Sequence, residues 1–175
     1  GGNPLNDDVP TMVLTPRVVE SVSIPVVTVG GIADGRSLAA ALMLGAEGVM
    51  MATRFMATKE CRVHDNIKQE IVRRQEQDTT LICKSIHLQA RALRNRNVED
   101  ILAIEKRGGG FEEILPLIMG KRISEAWDTG NVDLAPMMVG QSVGLVRDIP
   151  TCAELLERMA REAEERIAAV QGRIL

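Results

Sequence analysis

The chain has 175 residues, of which 45% are hydrophobic and 26% charged, and carries a formal net charge of -3. That length supports one ordinary domain, since a chain of this size buries roughly 70% of its unfolded surface, and the balance is that of a soluble globular protein. No apolar run approaches the ~20 residues of a membrane span, the acidic balance argues against a nucleic-acid footprint, and GGNPLNDDVP at the start has no signal-peptide pattern.

Residues 11 to 22, TMVLTPRVVESV, space apolar residues helically, with Pro16 as a weak point. IPVVTVG is a β-branched run without alternation, which predicts a strand covered on both faces. DGRSLAAALMLGA predicts a helix capped by Asp34, and AEGVMMA a second buried strand. Together they form a β-α-β unit of about thirty residues, hence a parallel pair with a right-handed crossover. TRFMATKE predicts a short helix, CRVHDNIKQEIVRRQE a longer amphipathic one, and TTLICKSIH a third strand. NVEDILAIEKRG, FEEILPLIM and KRISEAWDTG are helical, and MMVGQSVGLV is an apolar segment broken by Gly140 and Gly144. The last segment is a long helix opened by a Thr151/Glu154 capping box. A two-stranded parallel sheet is not a stable domain by itself, so further strands and helices are expected upstream.

Cys61, Cys83 and Cys152 are widely spaced and include no CxxC, so neither a zinc site nor a disulfide framework is indicated, and reduced cytoplasmic thiols are expected. Aromatic residues make up 2% of the chain. A planar cofactor would therefore be held mainly by backbone, aliphatic and Met contacts.

Parallel strands deliver the residues after them to one rim. Here those are Gly30 and Gly31 after the first strand and Ala52 and Thr53 after the second. Glycines expose their amides closely, and amides opening a helix suit an anion. One glycine pair alone reads better as a tight turn. Two such turns side by side point to a phosphate, gripped as in barrels whose last βα loops hold one. The absence of GxGxxG argues against a dinucleotide fingerprint.

The stretch IPVVTVGGIADGRSLAAALMLGAEGVMMATRF resembles the final two strands of the nitronate monooxygenase (2-nitropropane dioxygenase) family of FMN-dependent barrels, and LQARALRN and VGQSVGL continue the likeness. The resemblance implies a TIM-barrel (β/α)8 fold of which only the last strands are present, followed by a helix-rich C-terminal segment. The implied division is residues 1–75 as the C-terminal part of the FMN-binding barrel and 76–175 as the helix-rich segment packing on it. It implies oxidation of an alkyl nitronate by FMN and oxygen to a carbonyl compound and nitrite. Among flavin relatives, an NAD(P)H-dependent enoyl-thioester or quinone reductase is the alternative. An incomplete, non-catalytic half-barrel is a third reading, because open strand edges invite a companion N-terminal half or a second copy.

Carried over by the resemblance, Gly30 and Gly31 match the family's phosphate glycines, and Met50, Met51, Ala52 and Thr53 match a segment usually written Q-M-G-T. Ala52 and Thr53 would donate amides to the phosphate. Ala52 in place of Gly is tolerated if its φ is negative, and Met50 in place of Gln loses a polar cofactor contact. Asn3 stands where the family has a His beside the flavin. It can hydrogen-bond a nitro or carbonyl oxygen but cannot serve as a base. A nitronate substrate already arrives as an anion and needs no base. Gln141 and Ser142 are candidates for lining the substrate cleft, with a plain connecting turn as the other reading. His64 is expected at the surface, and His87 either at a pocket rim or in ordinary packing.

Overall fold

The computed structural model describes residues 9–174. Asn3 lies outside them.

Helix α1 (Thr11–Ser21) forms as expected with Pro16 inside it. Its apolar residues are not what it buries: Met12, Val13, Leu14 and Val18 are exposed, while Thr15 is buried with its Oγ1 3.0 Å from Thr28 Oγ1. Thr28 is the middle of strand β1 (Val27–Val29), which leads through α2 (Gly35–Met43) to β2 (Gly48–Met50). β1 and β2 pair in parallel, Val27 with Gly48 and Val29 with Met50. The expectation of a strand covered on both faces needs correction. Only Thr28 of β1 is buried, and Val27 and Val29 are more than half exposed, as is Met50. Neighbouring side chains of a strand point to opposite faces. The Thr28 face meets α1, whereas no described element covers the face carrying Val27, Val29 and Met50.

Helix α2 is well specified locally. Asp34 is its N-cap, and Asp34 and Ser37 form a reciprocal capping box. α2 then packs on the last helix, α8 (Cys152–Ile174), opened as expected by Thr151 and Glu154. Gly35 permits this contact. A Cβ there would fall 2.3 Å from Glu162 Cβ and 2.5 Å from the Met159 carbonyl, and its N–H donates to Glu162 Oε2 at 3.0 Å. Ile32, Ala41 and Ala46 close a core with Leu155 and Met159 of α8. Each large side chain so buried contributes about 1.5–3 kcal/mol.

After α3 (Thr53–Met56) the chain enters its middle region: α4 (Asp65–Arg73), β3 (Thr79–Ile82), β4 (Ala90–Leu93), α5 (Arg96–Lys106), α6 (Phe111–Ile118) and α7 (Gly120–Thr129). The TTLICKSIH strand does not join β1 and β2. It pairs antiparallel with β4 in a separate sheet, Thr79 with Leu93 and Ile82 with Ala90. Met138 adds a single bridge to Ala92. The connecting turn uses left-handed backbone at two non-glycine residues, Cys83 and His87. Glu105 of α5 steadies it by accepting from the N–H groups of Cys83 and Ser85 at 3.1 and 2.9 Å.

Two cores fill this region. Ile82, Ala92, Val98, Ile101 and Ile114 form one, and Ile67, Ile71, Leu93, Val139 and Val143 the other. α4, on the N-terminal side of the boundary expected at residue 75, thus shares its core with residues 137–146. α8, on the far side, shares one with α2.

Candidate functional site

The register of β1 and β2 sets Gly30–Gly31 and Met51–Ala52–Thr53 on one rim, at the carboxyl ends of strands that lie roughly 5 Å apart. Both glycines have positive φ, 98° and 80°, which side-chain-bearing residues rarely adopt. Among the described residues, a Cβ on Gly31 would meet nothing within 4 Å, so they leave the space above the turn open. Ser37 Oγ takes the N–H groups of Ala33 and Asp34 at 3.0 and 3.1 Å. Among the described residues, those of Gly31 and Ile32 donate to no acceptor. Burial works to raise the Asp34 carboxyl pKa, but hydrogen bonds from Ser37 and Arg36 outweigh it and hold it below its ordinary 3.8.

The second turn opens α3. Ala52 has φ of −106°, so its methyl meets the condition that the sequence set for replacing glycine. Thr53 is buried, and its Oγ1 accepts from the N–H of Gly140 at 3.0 Å. That bond brings the Gly140–Gln141–Ser142 turn beside the rim, with Gln141 exposed and Ser142 buried. The hydroxyl hydrogen of Thr53 stays available for donation. Met50 projects on the open face with Val29, while Met51 packs against the core shared by α2 and α8.

A shallow pocket of about 160 Å³ adjoins the glycines, lined in part by Thr11, Thr28, Gly30, Gly31 and Ser37, but Ala52 and Thr53 do not line it. A larger cleft of about 470 Å³ lies between residues 148–150 and α8, bounded by Glu154, Arg158 and Arg161, and takes no residue from the rim. Neither cavity takes residues from both turns.

Neither histidine reaches this rim. His64 is exposed and caps α4, its Nδ1 accepting from the Asn66 N–H at 3.1 Å. His87 is exposed in the β3–β4 turn on the other sheet. The Cys83 thiol, buried at the start of that turn, is pushed up to about 11 by burial and then by Glu105, so it is protonated at neutral pH.

Sequence reasoning missed Arg54. It follows Thr53 directly and is 2% exposed. Its Nη1 donates to the carbonyls of Ala57 and Asp148 at 3.3 and 3.2 Å, and its Nη2 to Asp148 Oδ1 at 2.8 Å. Arg158 of α8 grips the same carboxylate at 2.6 and 3.1 Å. The hydrogen bond from Arg158 is the main reason that the Asp148 carboxyl lies below its usual range. Burial lowers the Arg54 pKa, and Asp148 opposes it. The only sequence cue was the Arg in Ala-Thr-Arg, since its charged partner, Asp148, lies about ninety residues away.

The family model for nitronate monooxygenase matches residues 1–162. The chain belongs to the nitronate monooxygenase family. A protein of Rhodococcus jostii named (3aS,4S,5R,7aS)-5-hydroxy-7a-methyl-1-oxo-octahydro-1H-indene-4-carboxyl-CoA dehydrogenase is 33% identical over 93% of this chain and 56% of its own length. A probable nitronate monooxygenase of Staphylococcus saprophyticus is 33% identical over 89% of this chain and 43% of its own. Among solved structures, FabK from Thermotoga maritima superposes with a TM-score of 0.85 at 36% identity, over 95% of this chain and 52% of that one. A nitroalkane oxidase from Streptomyces ansochromogenes gives 0.74 at 27% identity, over 93% and 46%. The chain spans about half the length of the curated relatives it matches. Monooxygenase, dehydrogenase and oxidase are all names of oxidoreductases.

Proposed function

We propose that this nitronate monooxygenase family chain is the phosphate-holding, C-terminal part of an FMN-dependent (β/α)8 barrel that oxidises alkyl nitronates with oxygen. The observation that carries the reading is the shared rim: the free Gly31 and Ile32 amides of the Gly30–Gly31 turn beside the first turn of α3, with Thr53 anchored to Gly140. The residues fit the cofactor's phosphate, because two sets of amides share one rim and no side chain of the described residues fills the space above Gly31.

Bound FMN would supply the electron acceptor for the substrate carbanion and pass electrons on to oxygen. The chain's part is to bind and orient. Gly31, Ile32, Ala52 and Thr53 hold the phosphate by their amides, and Gln141 and Ser142 stand beside it on the substrate side. Met50 lies on the open face with Val29, where a companion N-terminal half of the barrel would pack. The exposed Val27, Val29 and Met50 and the half-length match to relatives support that partner over a second copy of this chain. Three free cysteines, Cys61, Cys83 and Cys152, support a reducing cytoplasmic setting.

The name of the Rhodococcus jostii relative favours a second reading, in which the same FMN site serves an NAD(P)H-dependent reaction on a thioester. Absorbance and oxygen uptake separate the readings. Flavin-band absorbance with oxygen consumption on an alkyl nitronate, without NADH, supports the first. NADH oxidation that requires an enoyl thioester or quinone supports the second. A colourless protein that gains no flavin bands on adding FMN overturns both and leaves the non-catalytic half-barrel.

A further inference from the structure

The buried guanidinium of Arg54 lies one residue beyond the amides assigned to the phosphate, and its hydrogen bonds go to Ala57 and Asp148. It holds the far end of α3 through the Ala57 carbonyl and reaches Asp148 through both a backbone and a side-chain oxygen. Asp148 in turn is gripped by Arg158 of α8, the helix that packs on α2 beyond the glycine turn. A helix as short as α3, four residues, has too few internal hydrogen bonds to hold its own direction. Burying a charge is costly unless it is paired and hydrogen-bonded, so the Arg54 site is favourable in only one arrangement of α3, the 148 segment and α8.

We propose that Arg54 is the positioning residue of the phosphate turn: through Asp148 and Arg158 it locks α3 to α8, and thereby aims the Ala52 and Thr53 amides at the anion held by Gly31 and Ile32. Thr53 supplies a second tether, to Gly140. Together the two fix both the direction and the depth of the helix start. Lysine cannot reproduce this clamp, because a single ammonium lacks the planar fork that spans Ala57 and Asp148. The inference rests on the FMN reading above.

The test compares FMN with riboflavin, which has the same ring but no phosphate, by quenching of flavin fluorescence on the purified chain. Wild type is expected to bind FMN more tightly than riboflavin. Arg54→Lys and Asp148→Asn should each weaken FMN about tenfold, the lower end of what losing an orienting partner costs, and leave riboflavin affinity unchanged. Asp148 is part-exposed, so Asp148→Asn serves if Arg54→Lys does not fold. Equal weakening of both flavins would mean a general structural role and overturn the proposal, as would variants that keep the wild-type FMN preference. A wild type that binds both flavins equally, or neither, overturns the phosphate reading itself and this inference with it.

Discussion

The two sheets of this protein solve the same problem differently. β3 and β4 are covered by their own helices: Ile82 and Ala92 are fully buried, and α5 and α6 supply Ile101 and Ile114 to the same core. β1 and β2 are covered on one side only, by α1, α2 and the returning α8, and expose Val27, Val29 and Met50 on the other. The core under this sheet is therefore completed by buried residues of the middle region itself. The rim proposed to hold the phosphate is not completed in this way, although its turns are formed in full. A functional turn needs local backbone geometry, whereas a closed sheet needs neighbours on both faces.

The largest expected effect lies in the completed core. Ile101→Ala removes a fully buried side chain and should cost about 2–5 kcal/mol by urea unfolding, as core truncations do. Gly35→Ala should cost about 1–3 kcal/mol, because the new methyl collides with Glu162 and the Met159 backbone and forces α2 off α8. A variant as stable as wild type would mean that the two helices can separate without loss.

Acid should act next, through Asp148. Its folded pKa is depressed, so its contribution is fully present above the ordinary carboxylate value of 3.8 and is lost as pH falls through the lower folded value. Wild type should then be more stable than Asp148→Asn at pH 7, with the gap closing below about pH 4, measured by denaturant unfolding across that range. The smallest effect is expected on the open face. Val29→Ala should change stability by no more than about 0.5 kcal/mol, since its side chain is already in water. A large loss there would mean that the face is covered in the isolated chain and would erase the contrast between the two sheets.

Much of the rim was legible beforehand. The Asp34 cap, the parallel pair, the two turns and the short helix after the second are local features, and each formed where the pattern placed it. Strand β4 was not legible. Its turn from β3 carries no Asn-Gly or Gly-Gly signal; it relies on Cys83 and His87 in left-handed backbone, held by Glu105 from a later helix. The open face of β1 was misjudged for a related reason. A continuous apolar run reports what a strand can bury, not whether a partner is present to bury it.

Sequence alone determined the family and the local geometry of the two turns, because glycine φ, helix capping and strand direction are settled within a few residues of where they act. Tertiary structure alone decided that Thr53 is tied to Gly140, that Gly35 is a helix contact and that Arg54 is buried against Asp148. Those pairings join residues about ninety or more positions apart, and only the free energy of the packed chain, not any local preference, selects among partners at that separation.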